Sequence, residues 1–365
     1  MTTDTLGGVW NYAIDLCRFL SEEGVEVALA TMGRPLSQSQ IAESNLISGL
    51  KVFQGNYKLE WMENPWADVR KAGEWLLSLE AEFKPDVVHL NAYCFGALTW
   101  HAPTLMVCHS CVGSWWECVK GKTLPPEWEP YRMNVKHGLA ASDLVVAPTE
   151  SMLGQARRLY GPFKWSVMIP NGRDSRDYVP KAKEEFVLSA GRFWDEAKNL
   201  SALVEAAPKI SWPIYIAGEA GSNPTPSVTN LGHLSSQELA SWLAKAWIYA
   251  LPARYEPFGL SILEAALSGC ALVLGDIPSL RENWTGCAIF VDPNSPDEIW
   301  TDVQSLIRDE HLRRTLGKNA QAKGWTFGIT RFGRTYLDLY EQLAQSPRRE
   351  RLLGSGAVVG QSLCE

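Results

Sequence analysis

Arg254-Tyr-Glu-Pro-Phe-Gly-Leu-Ser-Ile-Leu-Glu-Ala-Ala-Leu-Ser-Gly269 carries two carboxylates, Glu256 and Glu264, separated by seven residues. The run before it, Trp247-Ile-Tyr-Ala-Leu251, is short and apolar, so the segment reads as a strand, a turn and a helix. Glu256 then sits at the carboxyl end of the strand, and Glu264 lies in the first turns of the helix. Gly259 allows close backbone approach at the turn. The first N–H groups of the helix, near Phe258 to Ser261, have no partner within it and face whatever lies beyond the strand. One short stretch therefore offers an anion cradle and two hydroxyl-binding carboxylates. A polyhydroxylated phosphate ester, such as a nucleotide sugar, requires that combination.

Outward from this stretch the same alternation recurs. In the first half, Val25–Thr31, Leu50–Gln54, Asp86–Leu90, Pro103–Cys108 and Asp143–Ala147 read as strands. Helical patterns lie between them at Val9–Glu23, Ala67–Phe83 and Tyr131–Ala141. Short apolar strands separated by helices predict a parallel, doubly wound sheet. The polar, turn-rich run Ile169–Asp177 reads as a linker, after which the alternation restarts. Strands are expected at Phe186–Ala190, Pro213–Ala217, Trp247–Leu251, Ala271–Leu274 and Ala288–Val291. Ser235 with Glu238, and Ser295 with Glu298, mark helix starts as capping boxes. Helical patterns fill Asp297–Lys323 and Thr330–Ala344. The expected division is 1–168 for a first doubly wound domain and 169–325 for a second, followed by a helix over 326–345 and a tail over 346–365. Only Met1 to Asp4 precede the Gly7-Gly8 turn, so the first strand is short and some loss of sheet is expected there.

Composition narrows the function. The 365 residues are 46% hydrophobic and 21% charged, with a net charge of −7. That balance gives no basic field for nucleic acid. No apolar run reaches the roughly 18 residues of a membrane span, and the first residues lack the pattern of a signal peptide. Eight scattered cysteines fit a reducing cytoplasm. Cys108-His-Ser-Cys111 invites a zinc reading, but no second paired set matches it, and buried thiols are the competing account. The 16 tryptophans read mostly as core. Trp115, Trp116 and Trp128 could instead line an acceptor site, as platforms for a sugar ring.

In open α/β sheets, ligands bind beyond the carboxyl ends of the strands. Leu6-Gly7-Gly8-Val9-Trp10 is a glycine turn opening a helix, and its amides can approach a phosphate or a hydroxyl. His109 follows a buried strand and could hydrogen-bond a sugar hydroxyl or assist proton movement. In Gly191-Arg-Phe-Trp-Asp-Glu-Ala-Lys-Asn199, Arg192 offers a planar fork for phosphate oxygens and Lys198 a point charge. Surface salt bridges to Asp195 and Glu196 are the competing account. The chain contains no Asp-x-Asp, no phosphate-binding loop of the Gly-x4-Gly-Lys-Ser/Thr type and no Gly-x-Gly-x-x-Gly. Kinase and dehydrogenase readings thereby lose their main support, and no metal is expected.

Glu256-Pro-Phe-Gly-Leu-x-x-Leu-Glu264-Ala, with Gly269, resembles the Glu-x7-Glu motif of the family 4 (group 1) retaining glycosyltransferases. Their fold is GT-B, two Rossmann-like domains facing across a cleft, which implies that 1–168 is the acceptor side, that 169–325 is the donor side and that the helix over 326–345 crosses back to the first domain. Leu6–Trp10, Pro85–Leu90, Ile169–Gly172, Gly191-Arg192, Leu231–Leu234 and Val291–Pro293 match further family segments in the same order. The resemblance implies that Arg192 and Lys198 grip the donor diphosphate and that Glu264 binds the nucleotide ribose. It implies that Glu256 and the amides of Phe258, Gly259 and Leu260 contact the donor sugar and phosphate. Gly8 resembles the glycine facing the diphosphate from the first domain, and His109 the histidine near the donor sugar. Leu231 to His233 resembles the loop beside the base. The implied reaction is metal-independent transfer, with no cofactor, from a nucleotide-diphosphate sugar such as a UDP- or GDP-sugar to a hydroxyl acceptor. Configuration is retained by same-face attack. The acceptor could be a saccharide, a small molecule or a lipid-linked glycan, the last entailing peripheral membrane contact. The five residues between Arg192 and Lys198 are one more than the commoner family spacing. An epimerase and an inactive nucleotide-sugar-binding protein of the same fold are the alternatives.

Overall fold

The computed structural model describes residues 1–219 and 227–345, so the tail read over 346–365 lies outside the described residues. The first half builds β1 (Thr2–Asp4), α1 (Gly8–Glu22), β2 (Val27–Met32), α2 (Gln38–Asn45), β3 (Leu50–Gln54) and α3 (Trp66–Phe83). It continues with β4 (Val88–Leu90), β5 (Thr104–Val107), α4 (Val112–Lys120), α5 (Glu129–Ala141), β6 (Leu144–Ala147), α6 (Glu150–Tyr160) and β7 (Ser166–Met168). The second half builds β8 (Glu184–Ala190), α7 (Leu200–Ala206), β9 (Ile214–Ala217), β10 (Thr229–Asn230), α8 (Ser236–Lys245), β11 (Ala246–Leu251) and α9 (Leu260–Leu267). There follow β12 (Ala271–Gly275), α10 (Pro278–Trp284), β13 (Ala288–Val291), α11 (Pro296–Arg308), α12 (Glu310–Trp325) and α13 (Ile329–Gln345). Among the described residues, no helix is long and apolar enough to cross a membrane.

The second half forms one six-stranded parallel sheet in the order β10-β9-β8-β11-β12-β13. The first half is also parallel but comes as two ladders, β1-β2-β3 and β4-β5-β6-β7. The seam falls between β1 and β4, where a three-residue strand meets another of three. Asn91 spans it, its backbone N–H donating to Thr2 Oγ1 at 2.9 Å and its Nδ2 to the Thr2 carbonyl at 2.7 Å. The loss of sheet expected from the short first strand therefore takes the form of a ladder replaced by one side chain. The central strands β5, β6 and β12 are buried at every position, which is why they read as unbroken apolar runs.

Several helices have well-formed starts, and in α2 the start outweighs a weak periodicity. Ser37 and Gln40 form a reciprocal capping box on α2, and Thr149 accepts the Met152 amide on α6. The Cys111 thiol accepts the Ser114 amide at the start of α4. The box at Ser235 and Glu238 forms in both directions. At Ser295 only half of it forms, because Glu298 turns to accept the Asp292 amide instead. The helical pattern over 297–323 is broken at Asp309, whose carboxylate accepts the Leu312 amide and starts α12 afresh.

Helix α13 returns to the first half and lies on α1. Phe332, Tyr336 and Leu343 join Trp10, Tyr12, Ile14, Leu16 and Phe19 in one core cluster. The approach is closest at Gly333, where a Cβ would stand 2.2 Å from Phe19 Cδ1. The linker is less open than its polar sequence implies. The Arg173 amide donates to the Phe327 carbonyl at 3.0 Å, and the Ile329 amide donates to the Arg173 carbonyl at 3.0 Å. The two chain crossings between the halves are thus zipped side by side, and Arg173 is buried.

Candidate functional site

The loop after β8 is shaped by Asn199. Its φ is +56°, and its Nδ2 donates to the carbonyls of Pro252 at 2.8 Å and Pro293 at 2.6 Å. These contacts tie the loop to the carboxyl ends of β11 and β13, next to the Glu256 turn. Asp195 caps the short turn 196–198 by accepting the Ala197 amide at 3.0 Å. The ammonium of Lys198 is thereby delivered to Glu256 Oε2, with which it forms an ion pair. Glu256 Oε1 has no hydrogen-bond partner among the described residues, so that oxygen remains able to accept a hydroxyl.

The turn after β11 is held by Ser279, which donates to the Glu256 carbonyl at 2.6 Å. Thr149 of the first half donates to the Pro257 carbonyl at 3.0 Å. Gly259 has φ +89°, and a Cβ there would stand 2.6 Å from Ile262 Cδ1, so the turn requires glycine. Its carbonyl accepts the amides of Ile262 and Leu263. The amides of Phe258, Gly259 and Leu260 have no acceptor among the described residues, as an anion-binding helix start requires. The Phe258 side chain itself is buried in the core against Phe327. Only its backbone serves the site.

The glycine turn of the first half meets these groups. A Cβ on Gly7 would stand 3.4 Å from Arg192 Cδ, and one on Gly8 would stand 3.8 Å from Leu260 Cδ1. Arg192 Nη1 donates to the Leu6 carbonyl at 3.4 Å, and its half-exposed guanidinium lies 5.3 Å from the Trp194 ring centroid. Its nearest carboxylate, Asp195, stands 3.9 Å away and is itself taken by Trp115 Nε1 at 2.8 Å. Of the surface pairing weighed from sequence, the Asp195 contact is thus long, and Glu196 pairs instead with Lys120 of α4. The three tryptophans raised as acceptor platforms are placed differently. Trp115 binds the loop of the second half, while Trp116 packs against Trp128 and Trp128 against Tyr131.

His109, after β5, ends a chain of partly buried polar groups. Asn91 Nδ2 donates to a carbonyl, so its Oδ1 is the acceptor, and His109 Nε2 donates to it at 2.7 Å. His89 Nε2 also reaches this oxygen at 3.2 Å, and His89 Nδ1 bonds the Tyr340 hydroxyl of α13 at 2.5 Å. Burial pushes the His109 imidazole down to about 3, and burial likewise lowers His89. His109 is therefore neutral near pH 7 with its proton on Nε2, which leaves Nδ1 as an acceptor. That suits holding a hydroxyl better than moving a proton.

Folding linkage follows in sign. The unfolded imidazole takes up a proton near 6.5 and the folded one only near 3, so acidification through that window destabilises the fold. His109→Asn is expected to remove part of this loss, on the order of 1–2 kcal/mol between about pH 7 and pH 5. Urea unfolding of both proteins at the two pH values measures it. An equal loss in both would contradict the assignment.

Glu264 is far from free. It is 5% exposed, and one oxygen takes Nη2 of Arg173, whose Nη1 binds Asp15 of α1. Burial raises the Glu264 carboxyl, and Arg173 opposes the rise. Burial also works against the guanidinium charge, but Asp15 and Glu264 hold it charged. Neither Arg173 nor Asp15 stands out in a reading by motif. The available signal is a lone carboxylate inside Ala13-Ile-Asp-Leu-Cys17, on a helix face that is otherwise apolar.

His233 is exposed and follows Gly232, whose carbonyl accepts the Gly218 amide at 2.7 Å. A Cβ on Gly218 would clash with the Gly191 carbonyl at 1.9 Å, so this loop stands beside the start of the Arg192 segment. His233 has no hydrogen bond to the groups above. On the other side, a small cleft opens at the ends of β1, β2 and β4. Its lining includes Thr3, Asp4, Lys58, Glu60, Trp61 and Asn91, and none of Trp115, Trp116 or Trp128. Asp4 accepts the Leu6 amide at 2.8 Å, and burial pushes its carboxyl up to about 6. Through Asn91 and Asp4 the cleft shares walls with His109 and with the glycine turn.

Comparison with known proteins gives concordant results. The family model described as glycosyl transferases group 1 matches residues 171–323, and that of Glycosyltransferase Family 4 matches 6–177. A D-inositol 3-phosphate glycosyltransferase of Xylanimonas cellulosilytica is 26% identical, with 93% of each chain covered. Escherichia coli O-antigen chain mannosyltransferase B is 29% identical over 39% of this chain and 33% of its own length. Among solved structures, sucrose-phosphate synthase from Thermosynechococcus elongatus superposes with a TM-score of 0.78 at 20% identity, covering 94% of this chain and 95% of its own. Anabaena Alr3699/HepE in complex with UDP-glucose gives 0.72 at 16% identity, covering 94% and 100%.

Proposed function

The chain belongs to the group 1 glycosyltransferases of GT-B fold, and from that premise we propose that it moves a sugar from a nucleotide-diphosphate donor to a hydroxyl acceptor, with retention of configuration and without a metal. The observation that carries the proposal is the meeting of two halves around one anion-binding point. Arg192, the Lys198–Glu256 pair and three unpartnered amides come from the second half, and the Gly7-Gly8 turn comes from the first. The UDP-glucose held by the Anabaena protein supports a nucleotide sugar as the donor class.

On this reading the donor diphosphate lies between Arg192, Lys198 and the amides of Phe258, Gly259 and Leu260, with Gly8 opposite. As the bond from the anomeric carbon to the phosphate oxygen breaks, negative charge grows on that oxygen, and the two cations and the helix start stabilise it. The acceptor oxygen bonds to the anomeric carbon from the face the phosphate leaves. Its proton passes to the departing phosphate oxygen, so no side-chain nucleophile is required. Glu256 Oε1 and His109 Nδ1 accept hydroxyls of the transferred sugar, which fixes the ring without proton transfer to the protein. Glu264 binds the ribose, and His233 stands at the loop beside the base. The acceptor enters through the cleft lined by Asp4 and Trp61, with Trp61 offering an aromatic face to a sugar ring. We place the reaction in the cytoplasm, where the free thiols of the described residues stay reduced.

The test combines turnover with stereochemistry. A panel of UDP- and GDP-sugars is assayed for transfer and hydrolysis with and without EDTA, and the product anomer is assigned by NMR. Undiminished turnover in EDTA and a retained anomer are expected. Loss in EDTA that Mg²⁺ or Mn²⁺ restores would overturn metal independence. An inverted product would overturn retention, and binding without turnover of any donor would leave a nucleotide-sugar-binding protein.

A further inference from the structure

Arg173 joins three parts of the chain by its side chain alone. Nη1 binds Asp15 on α1, Nη2 binds Glu264 on α9, and the residue itself belongs to the linker between the two halves. All three groups are buried, at 6% exposure for Arg173, 8% for Asp15 and 5% for Glu264. Arg18 stands 3.3 Å from the other oxygen of Asp15, which brings the cluster to two charges of each sign. The guanidinium has little freedom to swing. The Arg173 backbone is bonded to Phe327 and Ile329 on both sides, and Gly172 before it packs so closely that a Cβ would stand 2.5 Å from Phe332 Cβ. Among the described residues Arg173 Nε has no hydrogen-bond partner, a cost that is sustained while the two Nη groups are satisfied.

We propose that Arg173 is a positioning residue for the donor nucleotide, fixing the Glu264 carboxylate against Asp15 of the first domain so that ribose recognition depends on both domains. This rests on the reading of Glu264 as the ribose ligand. A carboxylate must be ionised and correctly aimed to accept from the two hydroxyls of a ribose, and burial alone disfavours the ionised form. Arg173 supplies the opposing charge. Its planar fork, held at the far end by Asp15, sets the direction in which Glu264 points. Asp15 acts only through Arg173, yet it becomes a determinant of ribose preference.

Binding of UDP and GDP, each beside its 2′,3′-dideoxy analogue, is measured by calorimetry on the whole chain. The ratio of affinities for the ribose and dideoxy forms is the readout. A merely structural role would change melting temperature and weaken both forms alike, leaving the ratio intact. In the unsubstituted chain the preferred nucleotide is expected to favour the ribose form by at least about tenfold. Glu264→Ala tests the underlying reading and should bring the ratio near one. Asp15→Asn and Arg173→Lys should each lower it by at least about threefold, since an amide or an ammonium cannot hold the fork in place. If Glu264→Ala abolishes the preference while both other variants keep it in full, the positioning role is overturned and the ribose reading stands. If Glu264→Ala keeps the preference, or the unsubstituted chain has none, the ribose reading itself falls. Should Arg173→Lys fail to fold, Asp15→Asn decides, because it removes a charge while leaving the Arg173–Glu264 pair intact.

Discussion

Arg192→Ala is expected to lower the rate of sugar transfer by about 10²–10³-fold, because removing a hydrogen-bond donor aimed at developing charge has that order of effect. The fold should hardly notice. Its guanidinium is half-exposed, its one backbone bond is 3.4 Å long, and its nearest carboxylate is 3.9 Å away. Exposed side chains with such contacts contribute within about 0.5 kcal/mol to stability. Arg192→Lys should recover part of the rate but not all, since an ammonium offers no planar fork. Steady-state kinetics with saturating donor, beside thermal melts of each variant, separate catalysis from folding. A loss below threefold with an unchanged melt would remove Arg192 from the diphosphate grip.

Glu264→Ala is expected to weaken donor binding by about 10- to 100-fold, the range of hydrogen bonds to a charged group worth about 1.5–3 kcal/mol. Its effect on stability is less obvious from burial alone. Deleting one partner of a buried ion pair is usually severe because a charge is left alone. Here Arg173 keeps Asp15, so the remaining pair is still compensated. The variant should therefore melt close to the parent while donor affinity, read by calorimetry or by KM, collapses. Unchanged affinity would contradict the ribose assignment.

The elements were legible where they are local. The strands β5, β6, β8, β11, β12 and β13 follow from apolar runs, and α8 from its capping box. The turn at Gly259 is legible because only glycine holds its φ there. What escaped is of two kinds. Helix α2 declares itself at its cap more than in its periodicity, and the cap of α4 is a cysteine, outside the usual set. The second kind is long-range. Asp15, Arg173 and Glu264 stand 158 and 91 positions apart along the chain from one partner to the next. No spacing rule links them, so a polar linker residue read as a turn former is in fact buried between two carboxylates. The same limit applies to His109. Its place after a strand is visible in sequence, but its neutrality depends on burial and its tautomer on Asn91, which is itself committed to closing the seam beside Thr2.

The docking of α13 on α1 also orders events in time. A ribosome delivers the chain from its first residue, and α1 emerges about three hundred residues before the Phe332, Tyr336 and Leu343 that cover it. Until then the side of α1 bearing Phe19 is uncovered, and His89 lacks the Tyr340 hydroxyl that orients it. The first half therefore completes its core only when the second half has already been made. A nascent chain stalled before Ile329 carries an apolar seam for chaperones to shield.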